Sequence, residues 1–188
     1  MVVVASAAAV AVRAAAARAG VGEMNIKRIL RHLLAPQWVI ARAFPRATLS
    51  AIEAAIGVSE KTHDGELRIA VEAGLDLLPL IKGQSPRERA LEVFSNLRVW
   101  DTEHNSGVLI YVQLIDHRIE IVADRGIGAK VEQQQWESIC RRIEQAFKLG
   151  QFEQGMLSAI GETTGLLARH FPPLGDIRNE LPDRPVVL

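Results

Sequence analysis

Between Trp100 and Asp116 the chain reads WDTEHNSGVLIYVQLID. Asp101, Glu103, His104 and Asn105 stand together, and a mostly apolar run follows from Val108 to Ile115. Carboxylates beside an amide offer oxygen donors of the kind that suit a hard cation, Ca2+ or Mg2+. What such donors can do depends on which other residues reach the mouth of the apolar run.

Strand order supplies those residues. ELRIAVE (66–72) alternates Glu66, Arg68, Ala70 and Glu72 against Leu67, Ile69 and Val71, the pattern of a half-buried strand. GVLIYVQLI (107–115) is apolar on both faces and belongs centrally in a sheet. RIEIVAD (118–124) returns as an alternating strand after Asp116-His117, a pair short enough for a two-residue hairpin loop. Between the first two strands, SPRERALEVFSNL opens with Ser85 as N-cap, Pro86 at the first helical position and Glu88 three residues after the cap. That is a capping box, and a helix to about Arg98 follows from it.

A helical crossover makes the first two strands parallel and right-handed, and the hairpin makes the third antiparallel. The first two strands then start, and the third ends, at one end of the sheet. That end gathers Glu66, Asp101, Glu103, His104, Asn105 and Asp124, with Glu60, Thr62, His63 and Asp64 in the loop leading into it. Glu66, Asp101, Asn105 and Asp124 form the candidate metal-ligand set. Crowded carboxylates repel, so a cation, an arginine or a raised pKa must relieve them, and Arg68 or Arg125 can do so in place of a metal. A plainer alternative stays open: Asp101 and Asn105 cap a helix or turn, and Asp124 makes a loop hydrogen bond.

Other chemistry-bearing residues have weaker support. Cys140 lies on the apolar stripe of its helix and reads as core, and CRRIEQA lacks the arginine of a cysteine-phosphatase loop. ARHFPP contains Arg169-His170 but lacks the neighbouring glycine and arginine of a phosphohistidine enzyme, and it ends a helix. No GxxxxGK[ST], GxSxG, HExxH or GxGxxG occurs. Gly126 and Gly128 in DRGIGAK make a tight strand-to-helix turn, which can approach a phosphate or be a plain turn.

The remaining elements position this end. TLSAIEAAIGVSEKT reads as a helix with Thr48 at its N-cap, and LDLLPLIKGQ as a short helix broken by Pro79. VEQQQWESICRRIEQAFKLG carries one apolar stripe and ends at Gly150, and a second helix runs from Phe152 to Pro172-Pro173. The order is α-β-α-β-β-α-α. Helices must cover both faces of the apolar strand, which predicts a three-layer α/β/α sandwich around a small mixed β-sheet. Residues 173–188 read as an extended tail. MNIKRILRHLLAPQWVIARAFPR, with Lys27, Arg28, Arg31, Arg42 and Arg46 and no acidic residue, reads as a basic amphipathic helical segment (24–45) ended first at Pro36. Its apolar stripe packs on the domain or a partner, or lies on an anionic membrane. Residues 1–23 are low-complexity Ala/Val and read as disordered, or as preceding a true start at Met24.

At 188 residues the chain supports one cored domain plus an extra segment, and 22 basic residues balance 22 acidic ones, so no nucleic-acid partner is expected. A single cysteine excludes an internal disulfide and a Cys-rich zinc site. No apolar run is long enough to span a bilayer. A cytoplasmic, at most membrane-associated, protein is expected.

EKTHDGELRIAVE, FSNLRVWDTEHNSGVLIYVQLIDHRIEIVADRGI and WESICRRIEQAFKLGQFEQGMLSAIGETTGLLARHFP resemble the TPM domain, a family that includes a thylakoid-lumen acid phosphatase and many uncharacterised bacterial proteins. The likeness covers about residues 46–172. The family pattern often has arginine before the asparagine, where this chain has His104, so no permanent cation is implied there. The resemblance implies an α/β/α fold, a divalent-cation site in the acidic cluster, and an acid phosphatase activity. It also implies a link to the repair or quality control of membrane complexes, hence a protein partner. By motif it carries over to Thr62, Glu66, Asp101, Asn105 and Asp124. Two functions follow: a cation-binding interaction module, or a weak metal-dependent acid phosphatase in which Asp101 or Asp124 positions a metal-bound water and Arg125 holds phosphate.

Overall fold

The computed structural model describes residues 26–34, 38–173 and 179–188, so the readings of residues 1–23, Met24 and Pro36 lie outside the described residues. Its elements are α1 (Ile26–Leu33), α2 (Trp38–Ala43), α3 (Arg46–Ser59), a 3-10 turn (Glu60–Thr62), β1 (Leu67–Glu72), α4 (Leu77–Ile81), α5 (Pro86–Asn96), β2 (Val108–Gln113), β3 (Arg118–Ala123), α6 (Arg125–Gly128), α7 (Gln133–Lys148), α8 (Phe152–His170) and β4 (Val186–Val187).

The sheet order is β3-β2-β1-β4. β1 and β2 are parallel, with Leu67 opposite Val108, and β2 and β3 are antiparallel, with Val108 opposite Ala123. The tail adds a fourth strand: Val186 and Val187 pair in parallel with Ala70 and Val71 on the free edge of β1. Nothing in the tail's proline-rich composition signals this, because two residues are too few to show a period.

Alternation along the strands sorts the core into two layers. Leu67, Ile69, Val71, Val108, Ile110, Val112, Ile119 and Ile121 face α3, α7 and α8, which supply Ile52, Ile56, Trp136, Ile139, Ile143, Met156 and Leu167. Ala70, Leu109, Tyr111 and Val122 face the other way, against Ala90 and Val93 of α5 and Leu181 of the tail. Helices on both faces of a mixed sheet make the expected three-layer α/β/α sandwich. Cys140 packs against the first layer, and burial pushes its thiol up to about 12, which keeps it protonated and inert.

Local signals explain most boundaries. Ser85 Oγ accepts from the Glu88 amide and the Glu88 carboxylate accepts from the Ser85 amide, so the capping box is complete. At the end of α7 the amides of Gly150 and Gln151 reach the carbonyls of Phe147 and Ala146, a Schellman closure that requires Gly150 at φ 74°. Two expectations differ. Helix α3 begins at Arg46 behind Pro45, and Thr48, inside the helix, donates to Glu153 of α8 at 2.6 Å instead of capping. The β2–β3 turn spans Leu114 to His117, four residues rather than two, with His117 at φ 51°.

The basic segment folds as two helices. Arg28 and His32 of α1 both reach the Asp116 carboxylate, at 2.8 and 3.0 Å, and His32 Nδ1 accepts from the Leu75 amide. Ile29 is buried with Leu75 and Leu80, whereas Leu30, Leu33 and Leu34 point outward.

Candidate functional site

Backbone pairing continues one step beyond the strands. The Val108 amide donates to the Glu66 carbonyl and the Asp124 amide to the Gly107 carbonyl, so Glu66, Gly107 and Asp124 stand in one row at the expected end of the sheet. The side chains then divide into two groups, because different segments cover each half of that row.

One group is the strand mouth. Asp124 is the N-cap of α6, and its Oδ1 accepts from the Arg125 amide at 2.7 Å. Asp124 is 8% exposed, and its Oδ2 is buried with no hydrogen-bond partner. Asn105, at φ 51°, turns its side chain to Arg125, whose Nε donates to Oδ1 at 2.8 Å. The Asn105 carbonyl accepts from the amides of Gly126 and Ile127, and the Gly128 amide goes to Asp124. With those amides engaged, the glycine turn is a plain turn with no phosphate cradle. Gly126 lies directly under the loop: a Cβ there would stand 2.5 Å from the Asn105 carbonyl oxygen and 2.6 Å from that of His104. Asp101 is exposed on the same loop, after a turn in which its amide reaches the Arg98 carbonyl.

The second group surrounds the start of β1. Glu66 is 3% exposed, and its two carboxylate oxygens accept from the tail amides of Glu180 and Leu181 at 3.0 and 3.2 Å. Burial, with Glu180 and Asp183 nearby, raises its carboxyl to about 7. Glu60 is also buried. Its Oε1 accepts from the Leu67 amide at 3.0 Å, and its Oε2 has no donor. Burial first, then the charges of Glu66 and Asp183, raises it to about 8. At neutral pH Glu60 is therefore largely protonated, and that proton is what a second carboxylate, Asp183, can accept. Arg68 is the cation of this group, buried with its Nη1 on the Arg184 carbonyl. Of the sequence's two candidate arginines, Arg68 faces the glutamates and Arg125 faces Asn105.

The candidate metal set is thus split. Asn105 and Asp124 lie at the mouth and Asp101 on its loop, while Glu66 is tied to the tail. Among the described residues no three His, Cys, Asp or Glu side chains converge as a metal cage. The donors at the mouth are all oxygen, which suits a hard cation, and the orphaned Asp124 Oδ2 supplies one unused ligand. Asn105 would have to release Arg125, and Glu66 the tail, before either could join. Thr62 donates to the Ser59 carbonyl at 2.7 Å and closes the 3-10 turn.

Sequence reasoning placed Glu60 at this end without choosing it, and it missed Glu180 and Asp183 altogether. The tail's return to β1, through Val186 and Val187, brings them there. A buried chain of polar contacts was also invisible. His63 Nδ1 accepts from the Gly65 amide at 3.2 Å, so its Nε2–H donates to Ser59 Oγ at 2.9 Å. Ser59 in turn donates to Thr164 Oγ1 at 2.6 Å, and Thr164 to the Ile160 carbonyl. Burial lowers the His63 pKa. An imidazole that donates to a serine cannot take that serine's proton, so the pair fastens α3 to α8 and is no nucleophile.

The family model described as TPM domain matches residues 40–165. Among solved structures, that of the BA42 protein from the psychrophilic bacterium Bizionia argentinensis is 33% identical, with a TM-score of 0.64, and the match covers 76% of this chain and 93% of that one. No curated protein matches the chain.

Proposed function

Because the chain belongs to the TPM domain family, we propose that it is an interaction module that takes Ca2+ or Mg2+ at the strand mouth and docks a protein partner there, in the upkeep of a membrane complex. Asp124 is the anchoring ligand, Asp101 a second carboxylate from the facing loop, and Asn105 joins if Arg125 swings off it. A bound cation would supply charge neutralisation and a fixed geometry for the loop. The observation that supports this is the buried, unpartnered Asp124 Oδ2, because a carboxylate oxygen withheld from water calls for a donor or an ion. With so few preassembled ligands, affinity belongs in the weak range, roughly 10⁻⁴–10⁻³ M.

A thermal-unfolding titration with CaCl2 and MgCl2 tests it. Wild type gains stability as the cation saturates, and Asp124→Ala abolishes the gain. Equal, unspecific shifts in both proteins sink the proposal. The alternative, a weak metal-dependent acid phosphatase using Asp101 or Asp124 and Arg125, predicts phosphomonoester turnover that Asp124→Ala removes. It has less support, since Arg125, its phosphate ligand, is engaged by Asn105.

A peripheral membrane contact through residues 24–46 is supported by the outward Leu30, Leu33 and Leu34, the last 76% exposed, beside exposed Arg31. Among the described residues no helix is long and apolar enough to cross a membrane. Co-sedimentation with anionic vesicles, lost on Leu33→Glu with Leu34→Glu, is the expected result.

A further inference from the structure

A cleft of about 520 Å3 lies at the opposite end of the sheet from the strand mouth, between α2, the β2–β3 turn and the junction of α7 with α8. Its walls are apolar: Val39, Ala43, Leu114, Phe147 and Phe152 line it. Phe147 and Phe152 are themselves braced by each other and by Phe44, with ring centroids 4.8 to 5.8 Å apart. The wall is therefore firm. Trp38 stands at the lip, 60% exposed, which is a poor place for an indole that covers nothing.

Of the charged residues in the lining two are cations, Arg42 and Lys148, against one carboxylate. Arg42, Lys148 and His117 are exposed there, and among the described residues neither Arg42 nor Lys148 has an acceptor. Glu144 is the lone carboxylate in the lining, and Arg118 approaches it at 4.0 Å. An apolar cavity of this size, edged by unengaged cations, is complementary to a molecule with an apolar body and an anionic head.

We propose that this cleft binds a single-chain anionic amphiphile of the fatty-acid class, with its chain against Phe147 and Phe152, its carboxylate met by Arg42 and Lys148, and Trp38 closing over the chain. The volume lies in the range of small-ligand pockets, which favours one chain over a two-chain lipid held in a bilayer. The site is separate from the strand mouth and requires no cation.

Dansyl-undecanoate is the probe, used with the full chain. Its emission shifts to the blue on binding and is reversed by laurate. Dodecyltrimethylammonium, with a comparable chain and the opposite head charge, competes roughly tenfold less well, as two lip ion pairs predict. Arg42→Glu combined with Lys148→Glu removes that preference with little change in the melting temperature, because both residues are exposed. Val39→Trp, which fills the cleft, lowers affinity for both amphiphiles. Equal competition by the two amphiphiles, or unchanged laurate affinity in the double variant, overturns the proposal. Binding to anionic vesicles without any binding of free probe overturns it as well, and leaves only the surface contact.

Discussion

Glu66 and Glu72 bracket β1 on one face of the same strand, and both are almost fully buried, yet they are stabilised in opposite ways. Glu72 receives two hydrogen bonds from Arg89 of α5, at 2.8 and 3.1 Å, and a third from the Tyr111 hydroxyl, with Gln113 donating to that hydroxyl in turn. The bond to Glu72 raises the Arg89 pKa, and burial beside Glu72 pushes the Tyr111 hydroxyl up, so each partner keeps its proton. Glu66 receives only backbone amides from a returning tail, and its neighbours Glu180 and Asp183 carry its own sign. One end of β1 is a paired ion that fastens sheet to helix. The other is a set of carboxyls held together by protons, one arginine and peptide dipoles. Both are buried to a similar degree, so the difference comes from what the covering segment brings.

The largest effect expected from disturbing this contrast is at the paired end. Arg89→Met leaves the buried Glu72 carboxylate with only the Tyr111 hydroxyl as a donor, and costs about 3 kcal/mol in urea unfolding. A loss below roughly 0.5 kcal/mol would mean that the pair is a surface-like bridge and that the contrast is unfounded.

Next comes the proton-held end. The Glu60 carboxyl titrates at 4.5 when unperturbed and at about 8 in the fold. Between those values the folded chain holds a proton that the unfolded chain has released. Its contribution is therefore complete below pH 4.5 and lost as pH rises through 8. Glu60→Gln keeps an acceptor for the Leu67 amide and adds a fixed donor, so it flattens the fall in stability across that window. It should exceed wild type by roughly 1–2 kcal/mol at the alkaline side and match it at pH 5. Parallel pH–stability curves for the two proteins would refute a shared proton.

The smallest effect is a test of the tail's share. Asp183→Asn removes one like charge, so the Glu60 and Glu66 carboxyls move down by less than a unit, on the order of 0.5 kcal/mol each. Carbon-detected NMR titration of those carboxyls measures it, and an unchanged or rising value would show that Asp183 does not face them.

The layered sandwich was legible because it rests on signals that are local and periodic. Alternation in ELRIAVE and RIEIVAD, the two-faced apolar run of β2 and the Ser85-Pro86-Glu88 start of α5 each report their own element, and crossover handedness arranges them. The arrival of Glu66 and Asp124 in one row follows from that arrangement. What lay beyond the sequence were side-chain allegiances decided by covering segments. Glu66 turns to the tail because residues 179–188 return to β1, and a two-residue strand has no period to betray it. Arg28 turns to Asp116, 88 positions away, although helical spacing places it among surface cations. Thr48, which has the chemistry of a cap, serves as an interhelical donor because Pro45 already starts the helix.

The crowding at Gly126 has a consequence for variation at the strand mouth. The spacing of loop and helix is set by main-chain atoms, two carbonyls resting on a residue without a side chain, while the donors displayed around it are ordinary side chains. Substitutions among Asp101, Glu103 and His104 can therefore re-letter the rim and leave its width unchanged, whereas a single methyl group at position 126 would pry loop and helix apart. The chemistry of the mouth is interchangeable. Its frame is not.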